Sequence, residues 1–183
     1  MVFENFMSNV VKSNLGNDSL KSNDSSLFSG GGRLATTAEF KDALLDLATL
    51  SLEDDQVKYP NFSNRKSVEI FYGADYDLYL YDHNTFPSSG PFELSIRDND
   101  GGAIGFIRGT ISDHTIKFNL IHILEGSRGQ GIGLDIYERF LDMGYIIKSD
   151  SEITDGTYSI YDRLLSMGYK PIIYDDKRVG LAG

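Results

Sequence analysis

The strongest constraint on this chain is a strand that leads through a glycine-rich loop into a helix, over residues 120–133. The strand end, Leu120-Ile121-His122-Ile123, is almost continuously apolar, as expected of a buried strand. The loop that follows reads Arg128-Gly129-Gln130-Gly131-Ile132-Gly133. Backbone amides at a helix start attract anions, glycines let a diphosphate approach the main chain, and Arg128 can add charge-assisted hydrogen bonds. The segment therefore predicts a phosphate-binding loop.

Glycine spacing alone leaves other interpretations open. Gly131-Ile132-Gly133 could instead form a tight turn that brings the helix close to its neighbours. A dinucleotide-binding fingerprint would follow the first strand of a parallel series, whereas this loop comes late and after antiparallel strands. A Walker loop would end in Gly-Lys-Ser or Gly-Lys-Thr, which this loop does not.

Residues 36–183 predict one α+β domain with a mixed, mostly antiparallel sheet flanked by helices. A helix is expected over 38–50, because a Thr cap precedes apolar residues at helical spacing. Alternation predicts strands before the glycine loop, and a strand-helix-strand-helix-strand unit includes and follows it. The predicted strands are 68–72, 76–81, 92–97, 103–108, 115–123, 145–148 and 169–174, and the later helices are 133–143 and 156–167.

Residues 1–35 are rich in Ser, Asn, Asp and Gly and predict a flexible arm. The opening segment, residues 2–11, is more apolar than the rest of the arm. Residues 1–28 could therefore dock on a protein assembly partner, although a frayed terminus explains the composition equally well.

Composition excludes several classes of function. The net charge is -10 and the sequence pI about 4.6, which disfavours nucleic acid and anionic membranes as partners. The absence of cysteine excludes a disulfide framework, a Cys-based zinc site and a thiol nucleophile, and no metal is expected. No apolar run reaches the length of a membrane-spanning helix, so a soluble, cytoplasmic protein is the expectation.

The sequence resembles the GNAT superfamily of acyl-CoA transferases from about residue 68 to residue 174. The central motif of that family is Arg/Gln-x-x-Gly-x-Gly/Ala between a long strand and a helix, and Arg128, Gly131 and Gly133 match it. The resemblance implies that acetyl-CoA is the cosubstrate. Its pyrophosphate would lie on the loop, and its pantetheine would pair with the splayed ends of the strands at 120–124 and 145–148. The implied binding residues are Leu120, His122, Ile123, Arg128, Gly129, Gln130, Gly131, Ile132 and Gly133.

The catalytic groups are less clear. In the family, a Tyr general acid lies four residues before the Gly-Phe pair that ends the second helix. Here the pair is Gly168-Tyr169 and the position holds Leu164, so the candidate acid is Tyr161, roughly one turn away, or Tyr158. Packing within an apolar helical stripe is the alternative interpretation of Tyr161.

Two residues are candidates for the general base. Histidine titrates near neutral pH and can accept an amine proton, which makes His122 one candidate, and Glu125 is the other. A hydrogen-bonded core residue and a solvated loop carboxylate are the respective alternatives.

Two main hypotheses follow. The first is an N-acyltransferase that moves an acetyl group from acetyl-CoA to an amine on a small molecule or protein, by direct attack. Acidic residues would suit a cationic acceptor, and these are Asp75, Asp77, Asp82, Asp98 and Asp100.

The second hypothesis is a catalytically inactive GNAT-like structural or binding module. Residues 149–156 are similar to a pattern in bacteriophage-encoded GNAT-like proteins, which implies a virion component or a protein of the host cytoplasm, docked through residues 1–28. A nucleotide-binding regulatory protein with the same loop is a third possibility.

Overall fold

The computed structural model describes residues 31–48, 58–83 and 85–183. In these residues, nine strands form one sheet in which β6 and β7 are parallel and the other neighbours are antiparallel. The predicted α+β class, with a mixed, mostly antiparallel sheet flanked by helices, is confirmed. The strands are β1 (Gly32–Leu34), β2 (Ser67–Tyr72), β3 (Asp77–Tyr81), β4 (Gly90–Arg97), β5 (Ala103–Ser112), β6 (Thr115–Ile123), β7 (Ile146–Lys148), β8 (Lys170–Tyr174) and β9 (Val179–Ala182). The helices are α1 (Thr37–Leu47), α2 (Ile132–Asp142) and α3 (Asp155–Ser166), with a short 3-10 helix at Glu125–Ser127.

Two hairpins place β4, β5 and β6 side by side in the sheet. In the first turn, the Asp98 carboxylate accepts hydrogen bonds from the amides of Asp100 at 3.1 Å and Gly102 at 2.6 Å. In the second, Asp113 and His114 have φ of 47° and 60°, the left-handed pair that suits a two-residue hairpin. Both turns follow from short polar residues that tolerate these conformations.

The helices pack on one face of the sheet through aromatic side chains. The ring of Phe118 on β6 lies 4.9 Å from Tyr137 and 5.5 Å from Phe140, both on α2. The ring of Tyr161 on α3 lies 5.7 Å from Tyr137 and 6.2 Å from Phe40 on α1. This continuous apolar cluster fixes α2, and with it the glycine loop, against β6.

The N-terminus of α1 is closed by a capping box. Thr36 Oγ1 accepts from the Glu39 amide at 3.3 Å, and the Glu39 carboxylate accepts from the Thr36 amide at 2.8 Å. The hydrogen bond from the Thr36 backbone, and then those from Arg33 and the Thr36 hydroxyl, lower the pKa of Glu39 from 4.5 to about 2.

Several predicted boundaries differ from the structure. Gly32–Leu34, which the sequence analysis placed in the arm, pair with β8 as strand β1. Strand β9 was not predicted, because Val179–Ala182 are four residues with an internal glycine and gain their strand conformation by pairing with β7 and β8. Strand β4 begins at Gly90, two residues before the predicted 92–97 strand. The rest of the predicted arm, including residues 1–28, and the last two residues of the predicted 38–50 helix lie outside the described residues.

Candidate functional site

The glycine loop forms a concave array of backbone amides at the start of α2. Gly129 and Gly131 have φ of 75° and 82°, the left-handed region that glycine adopts without strain. Gly131 is the N-cap of α2 and offers no side chain to the first-turn amides. Within the described part of the chain, the amides of Gly129, Gln130 and Gly131 have no hydrogen-bond acceptor. The loop therefore presents N–H groups and the positive helix end to solvent, as an anion site requires.

The loop is tied to the end of β6. Arg128 Nε donates a hydrogen bond to the Ile123 carbonyl at 2.8 Å, and the Gln130 side-chain amide donates to the Gly126 carbonyl at 3.4 Å. A Cβ on Gly133 would lie 3.2 Å from Ile160 and 3.8 Å from Ile123. Glycine at this position lets the start of α2 approach both α3 and β6 closely.

Strands β6 and β7 separate after three paired residues. Thr115, Ile116 and Lys117 pair with β7, and the remainder of β6 pairs only with β5. Gly109 pairs with Phe118 and Arg108 with Leu120, so Asn119 is the extra residue of a β-bulge. One edge of β6 is therefore open between Phe118 and the glycine loop. The family resemblance implied an opening between 120–124 and 145–148, but residues 146–148 are all paired with β6, so only the 120–124 side of it is present. We call this opening the β6–β7 gap.

The bulge decides which backbone groups of β6 point into the gap. The Leu124 amide donates to the Ile104 carbonyl on the β5 side at 2.9 Å. Because alternate residues of a strand point to opposite edges, Leu120 and His122 also direct their backbone groups toward β5, and Ile121 and Ile123 direct theirs into the gap. The sequence analysis named Leu120, His122 and Ile123 but omitted Ile121, because a bulge at an Asn leaves no periodic signal.

The two candidate bases lie in different surroundings. The half-buried His122 side chain shares a face of the sheet with Phe106, at a ring separation of 5.5 Å. Glu125 is an exposed residue at the start of the 3-10 helix, and its carbonyl accepts a hydrogen bond from the Arg128 amide at 3.2 Å. His122 therefore lies near the end of β6, and Glu125 lies just after that end, before the glycine loop.

The candidate acid Tyr161 is buried inside the helical layer. Its side chain is 1% exposed and its ring packs between Phe40 and Tyr137. Burial raises the pKa of Tyr161 well above 10, so its hydroxyl stays protonated. Leu164, at the position of the family acid, is fully buried. The placement of Tyr161 therefore favours packing over acid catalysis, the two roles that the sequence allowed.

No helix in the described ranges is long and apolar enough to cross a membrane. Among the same residues, no group of three or more His, Asp or Glu side chains is arranged to hold a metal ion.

No family model matches the sequence, and a search of curated proteins gave no match. Solved structures do show similarity. A Deinococcus radiodurans protein provisionally assigned as an acetyltransferase is 27% identical over 40% of this chain, with a TM-score of 0.32, and the aligned region spans 52% of that protein.

Two Escherichia coli proteins also align. The GNAT family N-acetyltransferase YhbS, solved in complex with CoA, is 20% identical over 43% of this chain and 45% of its own, with a TM-score of 0.30. YhhK, provisionally assigned as an N-acetyltransferase and solved bound to coenzyme A, is 11% identical over 81% of this chain and 93% of its own, with a TM-score of 0.38. Similarities at this level do not assign the chain to a family.

Proposed function

We propose that the chain is a GNAT-type N-acyltransferase that binds acetyl-CoA and transfers its acetyl group to an amine. The observation that carries the proposal is the continuity of the β6–β7 gap with the glycine loop. The gap offers a row of backbone hydrogen-bonding groups, and the loop at its end offers amides for a diphosphate. A long ligand with amide groups and a pyrophosphate matches this order.

In this proposal, the pyrophosphate contacts the amides from Gly129 to Gly133, with Arg128 adding charge-assisted hydrogen bonds. The pantetheine amides pair with Ile121 and Ile123 as an added strand would. A backbone N–H in the gap then lies where the thioester oxygen becomes negative in the tetrahedral intermediate, which is the main way such a site stabilises acyl transfer.

Catalysis would rest mostly on positioning. The amine nitrogen forms a bond to the thioester carbon, the amine loses a proton, and the carbon–sulfur bond breaks to release the thiol form of CoA. His122 and Glu125 are the proposed acceptors of the amine proton, directly or through water. Because Tyr161 is buried and Leu164 carries no hydroxyl, solvent is the proposed source of the proton for the leaving thiolate.

A second candidate function is a CoA-binding module without catalysis. The apolar, fully buried Leu164 at the position of the family acid favours it. Such a module would retain the acetyl-CoA site and lack turnover, so the two functions differ in one measurable property.

The proposal is tested by calorimetric titration of the full chain with acetyl-CoA, beside coenzyme A and ATP. Arg128→Glu should weaken acetyl-CoA binding by about tenfold or more, because a charge-assisted bond is replaced by repulsion. Arg163→Glu is the matched control, since Arg163 is an exposed arginine in the last turn of α3 and is not part of the loop. Absence of acetyl-CoA binding by the wild type, or equal affinity in both variants, contradicts the site. Binding without acetylation of any amine in a mass-spectrometric screen selects the non-catalytic module.

A further inference from the structure

A cavity of about 540 Å³ lies on the sheet face opposite the helices. Residues 58–66, which precede β2, form one wall, and β3, β4 and the β4–β5 turn form the other. Its lining residues are Tyr59, Pro60, Asn61, Phe62, Ser63, Arg65, Ser67, Tyr81, Ser95, Arg97, Gly101 and Ala103. This set includes two arginines, five hydroxyls and no carboxylate, so its chemistry favours a polar or anionic ligand. We call it the arginine pocket.

Arg65 holds the wall of the pocket together. Its guanidinium donates to Asp82 at 2.5 Å and to Glu93, and Glu93 also accepts from Arg108 at 2.7 Å. The same guanidinium lies over the rings of Phe62 and Tyr81, which are stacked at 4.1 Å. The two carboxylates offset the charges of Arg65 and Arg108, so this network adds no net positive charge to the pocket.

Arg97 forms no ion pair among the described residues, and the acidic residue opposite it in the sheet, the buried Asp77, accepts from the Gly73 amide instead. Arg97 Nη2 donates to the Tyr81 hydroxyl at 2.6 Å, its Nε donates to the Ser95 hydroxyl at 3.3 Å, and its guanidinium lies 4.5 Å from the Tyr79 ring centre. Within the described ranges, no carboxylate lies within ion-pair distance of it. Buried hydroxyls fix the orientation of Arg97 and leave a cation with N–H groups to spare at the pocket wall.

Aromatic contacts connect the arginine pocket to the proposed acyl-transfer site. The Tyr59 ring, which lines the pocket, lies 5.1 Å from Phe106, and Phe106 lies 5.5 Å from His122 on β6. Tyr59 is anchored by a hydrogen bond from its hydroxyl to the Gly105 carbonyl at 3.0 Å. The pocket and His122 therefore lie on one face of the sheet, separated by a single phenylalanine.

We propose that the arginine pocket binds the acyl acceptor, and that the acceptor is an elongated amine whose far end carries an oxyanion, either carboxylate or phosphate. Arg97 lies on β4 and the gap lies beyond β6, so the amine and the oxyanion must be roughly 10–15 Å apart at the usual spacing of strands. The inference rests on the proposed acyltransferase function. Arg97 pairs with the oxyanion, and the amine end extends past Phe106 toward the gap. Two of the five acidic residues suggested for a cationic acceptor are already engaged, because Asp82 is paired with Arg65 and Asp98 is bound to turn amides.

The experiment measures acetylation at the N-terminal amine of five-residue peptides, which extend to about 16 Å and differ at the other end. Pentaglycine carries a carboxylate, pentaglycine amide a neutral end and Gly-Gly-Gly-Gly-Arg amide a cation, and Gly-Gly-Gly-Gly-phosphoserine amide tests phosphate against carboxylate. For the wild type, kcat/KM for an anionic peptide should exceed that for the neutral and cationic peptides by about tenfold or more. Arg97→Met should remove this preference by raising KM, with acetyl-CoA affinity unchanged, and Arg97→Lys should restore part of it.

Arg163→Met is the matched control and should keep the wild-type preference. Preference of the wild type for the cationic peptide, or an unaltered preference in Arg97→Met, overturns the inference. If no amine is acetylated, calorimetric titration with γ-aminobutyrate and phosphoethanolamine tests whether the pocket binds anions. Loss of this binding in Arg97→Met supports an anion pocket. Equal affinity in Arg97→Met and the wild type overturns it. Acetyl-CoA binding, which depends on Arg128 rather than Arg97, reports separately on the proposed function.

Discussion

The two candidate binding regions present different kinds of chemical group to a ligand. The β6–β7 gap and the glycine loop present backbone groups, and the side chains there mainly hold the backbone in place. The arginine pocket presents side chains, oriented by hydroxyls and rings from several elements. A backbone site recognises features shared by many ligands, such as a diphosphate or an amide, whereas a side-chain site can select one functional group.

This difference predicts how each region responds to substitution. Changes that alter backbone conformation should affect the gap and loop, and changes of side-chain charge should affect the arginine pocket. Both regions are built on the same sheet, so core substitutions should reduce the stability of the whole domain.

The largest effect is expected from Phe118→Ala, at the point where β6 leaves β7. Phe118 is 7% exposed and its ring contacts Phe92, Tyr137 and Phe140. Loss of the ring should lower the free energy of unfolding by roughly 3–5 kcal/mol, because it leaves a cavity between the sheet and α2. Urea unfolding measures the change. Phe118→Leu should lose much less, and equal losses in the two variants would contradict the packing described.

The second prediction concerns the conformation of the glycine loop. Gly131→Ala places a Cβ at φ 82°, which costs about 1–2 kcal/mol for an L-residue and should weaken acetyl-CoA binding by about tenfold. Gly126→Ala is the matched control in the same segment, because a Cβ there has no atom within 4 Å and its φ is not positive. Calorimetric titration measures both. An equal effect of the two alanines would show that loop conformation does not determine binding.

How much could be predicted from the sequence differs between the two regions. The gap and loop come mainly from one continuous stretch, where strand pattern, glycine spacing and helix start are adjacent and readable. The arginine pocket joins residues from Tyr59 to Ala103, which are separate in the chain and meet only through sheet register. Arg97 in the sequence is one arginine in an alternating strand, and nothing local indicates that Tyr81 and Ser95 orient it.

Details that depend on pairing were also missed. The open edge of β6 follows from where β7 ends, and the bulge at Asn119 sets which amides face the gap. Strand β9 follows β8 directly in the chain but lies between β8 and β7 in the sheet, a position that its four residues do not indicate. The burial of Tyr161 depends on Phe40 of α1, more than a hundred residues earlier.

The third prediction tests whether charge controls the arginine pocket. Glu93→Gln removes the carboxylate shared by Arg65 and Arg108, so the positive potential of the pocket should rise. We expect affinity for γ-aminobutyrate or phosphoethanolamine to increase by about two- to fivefold at low salt, with acetyl-CoA affinity unchanged. Glu152→Gln, at an exposed position, removes the same charge elsewhere. If both variants change the affinity equally, the change comes from the net charge of the protein and not from the network of Glu93, Arg65 and Arg108.

The fourth prediction provides a baseline, because α1 contributes no residue to either region. Thr36→Ala removes the capping hydroxyl of α1 and should lower the free energy of unfolding by about 1 kcal/mol, with both binding properties unchanged. Thr37→Ala, one residue later, is the control and should have little effect on urea unfolding. A loss of ligand affinity in Thr36→Ala would show that α1 is coupled to one of the sites.

The smallest effect is a pH dependence that arises from the same cap. The folded-state pKa of Glu39 is about 2 against 4.5 in the ordinary carboxyl, so the charged form is favoured by folding. This contribution is fully present above the unfolded pKa and is lost as pH falls through the folded pKa. The carboxyl resonance of Glu39 should titrate near pH 2 by NMR and move toward 4.5 in Thr36→Ala, since the hydroxyl hydrogen bond is removed and the capped geometry loosened. An ordinary pKa in the wild type would show that the capping box does not form, and the stability assigned to Thr36 would then need another source.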